Sequence, residues 1–326
     1  AAYAQYAGAV AGHFKGKGVI WEVWNEPNWA MFWRSPGRKL KPGTNIPDYA
    51  GRSDAGDHEH YAKMALAATK AIRAADPDAV VLGPAYGGAP QADFVDIMGK
   101  SGVIPLWSGF SIHPYPHGAP EESLSRDFYD PTLKMIQPYF TADRQVPIVV
   151  TEAGYSNAWA EIDEKTEGQY LARTYLYNLL CGIPLTVWYD FHDDGNSVKD
   201  QEQCFGITHH DYHAGAPNVY DPKAAYFAAA TYADQLKNSL FKQRVKTDQD
   251  TDYLLEFTTQ SDPTSWAKST FVAWTTAPDA HAIQIHAPRG TYQLTSFDGT
   301  TKSTVSCTDG VIPVTLDGGP QYLKAQ

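Results

Sequence analysis

Two patterns of apolar and polar residues divide the chain near residue 240. Before it, short apolar runs alternate with longer stretches whose apolar residues recur at helical spacing. The runs predict strands at Val19–Trp24, Val80–Pro84, Gly109–Tyr115, Ile148–Thr151 and Leu185–Phe191. The stretches predict helices at Tyr3–Phe14, Glu59–Ala75, Ala92–Lys100, Glu121–Phe140, Lys165–Cys181 and Pro222–Lys237. This alternation predicts βαβ units around a parallel sheet, which is either doubly wound or closed into a barrel.

Beyond residue 240 the helical periodicity stops. Short alternating runs follow, separated by Gly, Asp and Pro, at Tyr253–Thr258, Ser269–Thr275, Ala282–His286, Tyr292–Phe297 and Val311–Leu316. They predict an antiparallel β domain built as a small sandwich. We therefore predict a β/α barrel domain over residues 1–240 and a β-sandwich domain over residues 241–326.

Two glutamates lie at the ends of predicted strands that are far apart in the sequence. The run Trp-Glu-Val-Trp-Asn-Glu-Pro-Asn at 21–28 places Glu26 at a strand end, and the run Pro-Ile-Val-Val-Thr-Glu-Ala-Gly at 147–154 does the same for Glu152. In a parallel barrel this edge carries the active site. A lone strand-end glutamate is ordinarily a solvated carboxylate. Two of them indicate glycoside hydrolysis, in which one protonates the leaving oxygen and the other attacks the anomeric carbon or activates a water.

These two runs, together with Phe32-Trp33 and the Ser-Ile-His-Pro-Tyr run at 111–115, resemble the clan of retaining glycoside hydrolases built on (β/α)8 barrels. The closest resemblance is to glycoside hydrolase family 39, which contains β-xylosidases, α-L-iduronidases and bacterial endoglycosidases that cut exopolysaccharides. It implies cleavage of β-glycosidic bonds in a poly- or oligosaccharide by a retaining double displacement, with no cofactor and no metal.

The resemblance also implies roles for single residues. Glu26 is the general acid/base and Glu152 is the nucleophile. Tyr115 corresponds to the clan tyrosine that donates to the nucleophile, and Asn25 to the asparagine that holds the sugar 2-hydroxyl. Trp188 lies where the clan often has an aromatic floor for the sugar, and core filling is the alternative reading.

The surroundings of Glu26 bear on its chemistry. A catalytic acid must keep its proton near neutral pH, and apolar walls favour this. Trp24 and Trp29 flank Glu26 and are candidates for such walls. His113 either shapes the acid/base or a sugar subsite, or is a structural histidine at a strand end.

The position of the Asn-Glu-Pro run departs from the clan pattern. In the clan it ends the fourth strand, whereas only one predicted helix precedes it here. The expected fold is therefore a (β/α)8 TIM barrel that lacks its first three or so strands in this chain. Three explanations stay open: the chain is a truncated product, a second polypeptide carries the missing strands, or an oligomer contact pairs the open edge. The last follows because five parallel strands would otherwise expose an apolar edge.

Composition and charge limit the classes of partner that the protein is expected to bind. With 37 acidic and 26 basic residues the net charge is −11, which argues against nucleic acid. No run approaches the ~18 consecutive apolar residues of a membrane span. No signal peptide is visible, although an extracellular or periplasmic location is expected for such an enzyme.

The metal-binding residue types give no familiar motif. The three cysteines, Cys181, Cys204 and Cys307, lack metal-site spacing, and a Cys181–Cys204 disulfide is conceivable. The His-His-Asp-Tyr-His run at 209–213 matches no zinc motif, and an exposed loop is the favoured reading.

Three readings of the function stay open. The insertion Trp33–Asp57 either closes one end of the cleft, as in an exo-acting β-xylosidase, or rims an open groove, as in an endoglycosidase. Tryptophans near predicted strand ends favour the groove; they are Trp29, Trp33, Trp107 and Trp159. A reading from a different class is a carbohydrate-binding remnant that has lost turnover.

Overall fold

The structure is a computed structural model that describes residues 1–35, 51–259, 261–262 and 269–326. Most of the predicted insertion Trp33–Asp57 falls on residues 36–50 and lies outside the described residues. Among the described residues, no helix has the length and apolar character that a bilayer crossing requires.

Five parallel strands form a half-barrel, a fragment of a TIM barrel, in the order β1-β2-β3-β4-β5. The strands are β1 (Ile20–Glu22), β2 (Val80–Gly87), β3 (Gly109–His113), β4 (Ile148–Ala153) and β5 (Thr186–Trp188). The helices are α1 (Ala2–His13), α2 (Ala55–Ala75), α3 (Ala92–Ser101), α4 (Pro120–Ser123), α5 (Asp130–Ile136), α6 (Glu164–Leu180) and α7 (Ala224–Gln235). The strand–helix alternation predicted from the sequence is thus confirmed.

Side-chain caps fix the starts of the two longest helices. Asp54 precedes α2; its carboxylate accepts a hydrogen bond from the Asp57 backbone N–H, and its own backbone N–H donates to the Asp57 carboxylate. Asp163 caps α6 by accepting from the Thr166 backbone N–H. Such caps satisfy backbone donors that have no partner within the helix.

The single helix predicted at Glu121–Phe140 is divided into shorter pieces. A π-helical segment at Leu124–Tyr129 follows α4, and a 3₁₀ turn at Gln137–Tyr139 follows α5. Pro131 lies in the first turn of α5 and Pro138 within the 3₁₀ turn. Proline has no N–H to donate, so it breaks the regular helical ladder at these points.

The C-terminal region is antiparallel. A six-stranded sheet has the order β11-β10-β13-β8-β7-β6, and a two-stranded sheet pairs β12 with β9. These strands are β6 (Ser239–Arg244), β7 (Asp252–Thr259), β8 (Thr270–Thr275), β9 (His281–His286), β10 (Gly290–Thr295), β11 (Lys302–Cys307), β12 (Val311–Leu316) and β13 (Gln321–Ala325). One buried core includes Leu316 and Ile285 of the small sheet with Phe271 and Leu323 of the large sheet.

Two compact units divide the chain, and each is discontinuous. Unit 1 comprises Ala1–Tyr115, Glu122–Ala153 and Ile183–Val187; unit 2 comprises Pro116–Glu121, Gly154–Gly182 and Trp188–Gln326. In unit 2, Leu176 of α6 shares a buried core with Leu255 of β7, Trp274 of β8 and Tyr322 of β13. The predicted domain boundary at residue 240 stays a prediction.

The cysteines are unbridged. Cys181, Cys204 and Cys307 are all free thiols, so the conceivable Cys181–Cys204 disulfide does not form. Cys204 lies close to the Ser197 carbonyl oxygen, at 3.7 Å, and Cys307 close to the Ala287 carbonyl oxygen, at 3.3 Å.

Candidate active site

The Asn-Glu-Pro run leaves β1 through a tightly bent backbone. The Val23 N–H donates to the Leu82 carbonyl at 3.0 Å, and the Glu26 N–H donates to the Ala85 carbonyl at 2.9 Å. Trp24 and Glu26 have left-handed φ angles of 74° and 41°. Residues with a Cβ seldom adopt this conformation, and such outliers cluster at functional sites. The backbone of this turn is therefore locally strained.

The turn packs against the backbone of Gly87, the last residue of β2. The buried Asn28 side chain donates to the Gly87 carbonyl at 2.8 Å and accepts from the Gly87 N–H at 3.0 Å. A Cβ on Gly87 would lie 2.5 Å from Cδ of Glu26 and 2.7 Å from Nε1 of Trp29. Only glycine therefore lets both side chains lie against this backbone.

Glu26, His113 and Glu152 meet at the ends of β1, β3 and β4. Nδ1 of His113 lies 2.9 Å from Oε1 of Glu26 and 3.3 Å from Oε2 of Glu152. One such atom from each residue lies within 4.8 Å of the other two. The imidazole is fully buried, whereas the Glu26 and Glu152 side chains are 15% and 29% exposed. Both carboxylates thus border one small, partly open space.

The environment of Glu152 favours its protonated form. Burial raises the pKa of Glu152 above its usual value, and the nearby Glu26 adds to this, while His113 and the hydrogen bond from Tyr115 oppose it. The Tyr115 hydroxyl donates to Oε2 of Glu152 at 3.0 Å. Glu152 therefore holds a proton to a higher pH than an exposed glutamate does.

The arrangement has two chemical capacities. Two carboxyl groups across a narrow gap can divide acid and nucleophile roles between them. These two glutamates and His113 could also hold a metal ion. Within the described part of the chain, they form the group of His, Cys, Asp or Glu side chains whose ligand atoms are close enough together to do so.

Arg52 is a residue beside this site that the sequence analysis did not select. Its guanidinium lies 3.9 Å from the centre of the Trp29 ring and donates to the Gly87 carbonyl at 3.1 Å. A cation over an indole face is attractive and holds the ring in place. No strand end or motif surrounds Arg52 in the sequence, so no local signal marks it.

The other predicted residues near Glu26 have different surroundings. Trp33 is only 9% exposed, and its indole N–H donates to the Asp57 carbonyl at 3.0 Å, which leaves little ring surface for a sugar. Trp24 is partly exposed and donates to the Phe32 carbonyl at 3.0 Å. Asn25 is half-buried and immediately precedes Glu26.

Two further tryptophans considered in the sequence analysis are Trp107 and Trp188. Trp107 is fully buried and donates to Oγ1 of Thr69 at 3.1 Å, so the expectation that it contacts sugars is wrong. In unit 2 the Trp188 ring lies 6.1 Å from the Tyr155 ring and packs against the core around Leu171. This packing agrees with the alternative interpretation of Trp188, in which the ring fills the core.

Trp159 and the histidine run also belong to unit 2. The Trp159 indole N–H donates to Oε1 of Gln201 at 3.0 Å. His209 lies 3.3 Å from Glu164, and His213 lies 3.0 Å from Asp221. Because the two histidines pair with separate carboxylates, the run does not converge on one point.

Comparisons with known proteins agree on glycoside hydrolases. The family model described as Cellulase (glycosyl hydrolase family 5) matches residues 1–190. No curated protein sequence matches the chain significantly. The family match confirms the resemblance to barrel glycoside hydrolases that the Asn-Glu-Pro run predicts.

Solved structures share the fold. An enzyme of glycoside hydrolase family 39 from the gut symbiont Bacteroides cellulosilyticus WH2 is 24% identical with a TM-score of 0.72, over 100% of this chain and 62% of that chain. A family 39 β-xylosidase from Caulobacter crescentus is 14% identical with a TM-score of 0.62, over 99% and 71%. A family 44 xyloglucanase from Paenibacillus polymyxa is 14% identical with a TM-score of 0.60, over 99% and 70%. The chain thus spans less than two thirds of the Bacteroides enzyme, and its fold is like that of family 39.

Proposed function

The chain belongs to the cellulase family, glycosyl hydrolase family 5, and we propose that it cleaves β-glycosidic bonds of a poly- or oligosaccharide with retention of anomeric configuration. The observation that carries the proposal is the spacing of the two carboxyl groups. Oxygens of Glu26 and Glu152 lie within 4.8 Å of each other. Retaining enzymes hold their carboxyl groups about 5–5.5 Å apart, whereas inverting enzymes need about 6.5–9.5 Å to admit a water.

The two glutamates divide the chemistry. The Glu152 carboxylate attacks the anomeric carbon while Glu26 gives its proton to the departing glycosidic oxygen. A water then attacks the anomeric carbon of the glycosyl-enzyme and gives a proton to Glu26, while the bond from that carbon to the Glu152 carboxylate breaks. Asn25 is placed by the same proposal on the sugar 2-hydroxyl.

His113 and Tyr115 support the nucleophile. Burial raises the pKa of Glu152, which works against the ionised form that attack requires. The Tyr115 hydroxyl donates to its Oε2 at 3.0 Å, and Nδ1 of His113 lies 3.3 Å from the same oxygen. The hydrogen bond from Tyr115 stabilises the charged form, and His113, whose own hydrogen bond is with Glu26, lowers the pKa of Glu152 through its electrostatic interaction. We assign both residues the role of holding Glu152 ionised and oriented.

The family and the ring beside the acid support the proposed substrate class. The half-buried Trp29, fixed by Arg52, is the proposed sugar platform nearest Glu26. The Caulobacter relative is a β-xylosidase and the Paenibacillus relative a xyloglucanase, so xylose- and glucose-based substrates are tested first. Exo-acting β-xylosidase activity is the alternative within the same class.

A non-catalytic carbohydrate-binding protein is the second candidate. Its support is the five-stranded half-barrel, because a complete TIM barrel has eight strands to present site residues. Sugar binding without turnover would favour it.

Hydrolysis of aryl β-glycosides, followed by proton NMR of the first-formed anomer, tests the proposal. We expect the β-anomer first, and a loss of at least about 10³-fold in kcat for Glu152→Gln. With azide, Glu152→Gly should form the α-glycosyl azide and Glu26→Ala the β-glycosyl azide. The surface variant Glu59→Gln is the matched control. Release of the α-anomer first, or full activity in Glu152→Gln, would refute the assignment.

A further inference from the structure

We propose that Glu26, His113 and Glu152 form a binding site for a divalent transition-metal ion such as Zn²⁺, and that the bound ion closes the carboxylate pair to substrate. The set contains one imidazole nitrogen and two carboxylate oxygens. These are donor types that zinc accepts in three-residue sites that keep an open fourth position. The proposal stands on these three side chains and does not require that the protein hydrolyse sugars.

The three ligand atoms are near enough to converge on one ion. Zinc bonds of about 2.0–2.2 Å in tetrahedral geometry place neighbouring donor atoms roughly 3.3–3.5 Å apart. Nδ1 of His113 lies 2.9 Å from Oε1 of Glu26 and 3.3 Å from Oε2 of Glu152. The two glutamate donors are within 4.8 Å of each other. Binding replaces the Glu26–His113 hydrogen bond, so the ion takes the place of the shared proton and the Glu26 oxygen moves outward by about half an ångström.

Charge and burial favour a cation at this point. His113 is fully buried, and the two carboxyl groups are mostly buried, so the attraction of a divalent ion is screened less than at the surface. The Tyr115 hydroxyl donates a hydrogen bond to Glu152 and so orients this metal ligand, without itself being one of the three ligands. The partial exposure of both glutamates leaves the fourth position to water.

The second ring nitrogen of His113 limits the affinity of the site for a metal ion. Nε2 of His113 is buried without a hydrogen-bond partner among the described residues. Metal-binding histidines usually donate this second N–H, and loss of that partner costs about 10–100-fold in affinity. The site therefore suits reversible inhibition more than a permanent structural ion.

The donor set also predicts the order among metals. Cu²⁺ and Zn²⁺ accept imidazole, whereas Mg²⁺ and Ca²⁺ require six or more oxygen ligands. We expect binding of Cu²⁺ and Zn²⁺ at concentrations at which Mg²⁺ and Ca²⁺ have no effect.

Calorimetric titration of the whole chain with ZnCl₂ tests the site. We expect one site, whose affinity falls at least about tenfold in His113→Gln, because loss of a ligand costs no less than loss of its supporting partner. The control His213→Gln removes the exposed pair with Asp221 and should leave this site unchanged. Circular dichroism reports whether each variant folds. If His113→Gln does not fold, Glu152→Gln replaces it. Equal zinc affinity in the wild type and a folded ligand variant would overturn the proposal, as would no binding at all.

Hydrolysis assays separate this site from the proposed function. Zinc binding in a protein that hydrolyses no glycoside would refute the enzyme and leave the metal site standing. Hydrolysis that zinc does not inhibit would refute the metal site and leave the enzyme standing. Competitive inhibition, reversed by a chelator, supports both.

Discussion

Gly87 is the residue on which the geometry of the carboxylate pair depends most directly. Its backbone is paired with Asn28, receives a hydrogen bond from Arg52, and lies against the Glu26 carboxyl group. A side chain of any size at this point would push Glu26 away from His113. The position of a proposed catalytic acid is thus set by the absence of a Cβ on a neighbouring strand.

Gly87→Ala should lower kcat by about 10²-fold, because a displacement of about 1 Å in a reacting group can cost that much. The added Cβ would meet the Glu26 Cδ at 2.5 Å. Steady-state kinetics on an aryl glycoside measure the effect. Gly12→Ala, where a Cβ meets only the Ala75 methyl at 3.8 Å, is the control and should keep full activity. An unchanged kcat in Gly87→Ala would contradict this account.

Glu152→Gln should make the protein more stable at neutral pH. Because burial raises the folded pKa of Glu152 above 4.5, the native state binds the proton more tightly than the unfolded chain. Wild-type stability from this group is therefore present below pH 4.5 and is lost as pH rises through the folded pKa. Glutamine carries no charge and avoids that loss, while it can still accept from Tyr115.

Thermal unfolding at pH 7 and at pH 4 measures this difference. The variant should have the higher Tm at pH 7 and a smaller advantage at pH 4. Glu59→Gln, on the exposed surface of α2, should show no such pH-dependent difference. A lower Tm for Glu152→Gln at pH 7 would mean that its contacts with His113 outweigh the burial of its charge.

The residues of the candidate site could be predicted from the sequence where they lie at the end of a predicted strand. Glu26, His113, Tyr115 and Glu152 all follow apolar runs, so parallel strands bring them to one edge. Arg52 has no such signal, since its position depends on contacts with β2. Trp107 was misjudged because the sequence does not distinguish a buried indole from an exposed one. The role of Trp33 stays a prediction.

At the scale of elements, Lys223 joins the start of α7 to three other places in unit 2: α6 and the loops that carry Asn157 and Asp193. Its ammonium lies 2.9 Å from Oδ1 of Asp193 and 2.8 Å from Oδ1 of Asn157, and 3.7 Å from Oε2 of Glu167. Burial raises the pKa of Glu167 well above its usual value, and Lys223 opposes this. One buried cation thus faces two buried acids.

Lys223→Ala should destabilise the protein by about 3–5 kcal/mol, because removing one partner leaves a buried charge uncompensated. Urea unfolding gives the change in free energy. The exposed Lys237→Ala is the control and should stay within about 0.5 kcal/mol of the wild type. A loss below 1 kcal/mol for Lys223→Ala would show that the two acids are neutral at the pH of measurement.

The elements themselves were partly predictable. Long amphipathic stretches such as α2 and α6 are recognised from spacing, whereas the start of α2 at Ala55 was placed too late, at Glu59, because its Asp54 cap was not considered. Strands β6, β11 and β13 were not predicted, because their alternation is weak and their pairing depends on distant strands. The broken helix after residue 120 reflects its prolines, whose effect the apolar spacing alone does not show.

At the scale of the whole molecule, β1 is an edge strand: within the described residues it pairs only with β2. Ile20 and Val80 are neighbours in register and are 49% and 41% exposed. An edge that is unpaired and apolar favours association with another chain. The predicted second chain or oligomer contact would act here.

The wild-type chain should therefore self-associate as its concentration rises, and Ile20→Lys should reduce this. Sedimentation velocity over a wide concentration range measures it. Leu133→Lys, which adds the same charge at an exposed position of α5, is the control and should associate like the wild type. A wild-type sedimentation coefficient that does not vary with concentration would contradict the prediction.

The core that α6 shares with the large antiparallel sheet has a consequence for any attempt to divide the protein. Leu176 comes from the middle of the sequence, whereas its partners Leu255, Val272 and Tyr322 come from the last quarter. A recombinant piece starting after residue 240 would present that patch to water without its helix. Such a piece should aggregate when expressed alone and recover solubility when a peptide spanning α6 is supplied in trans.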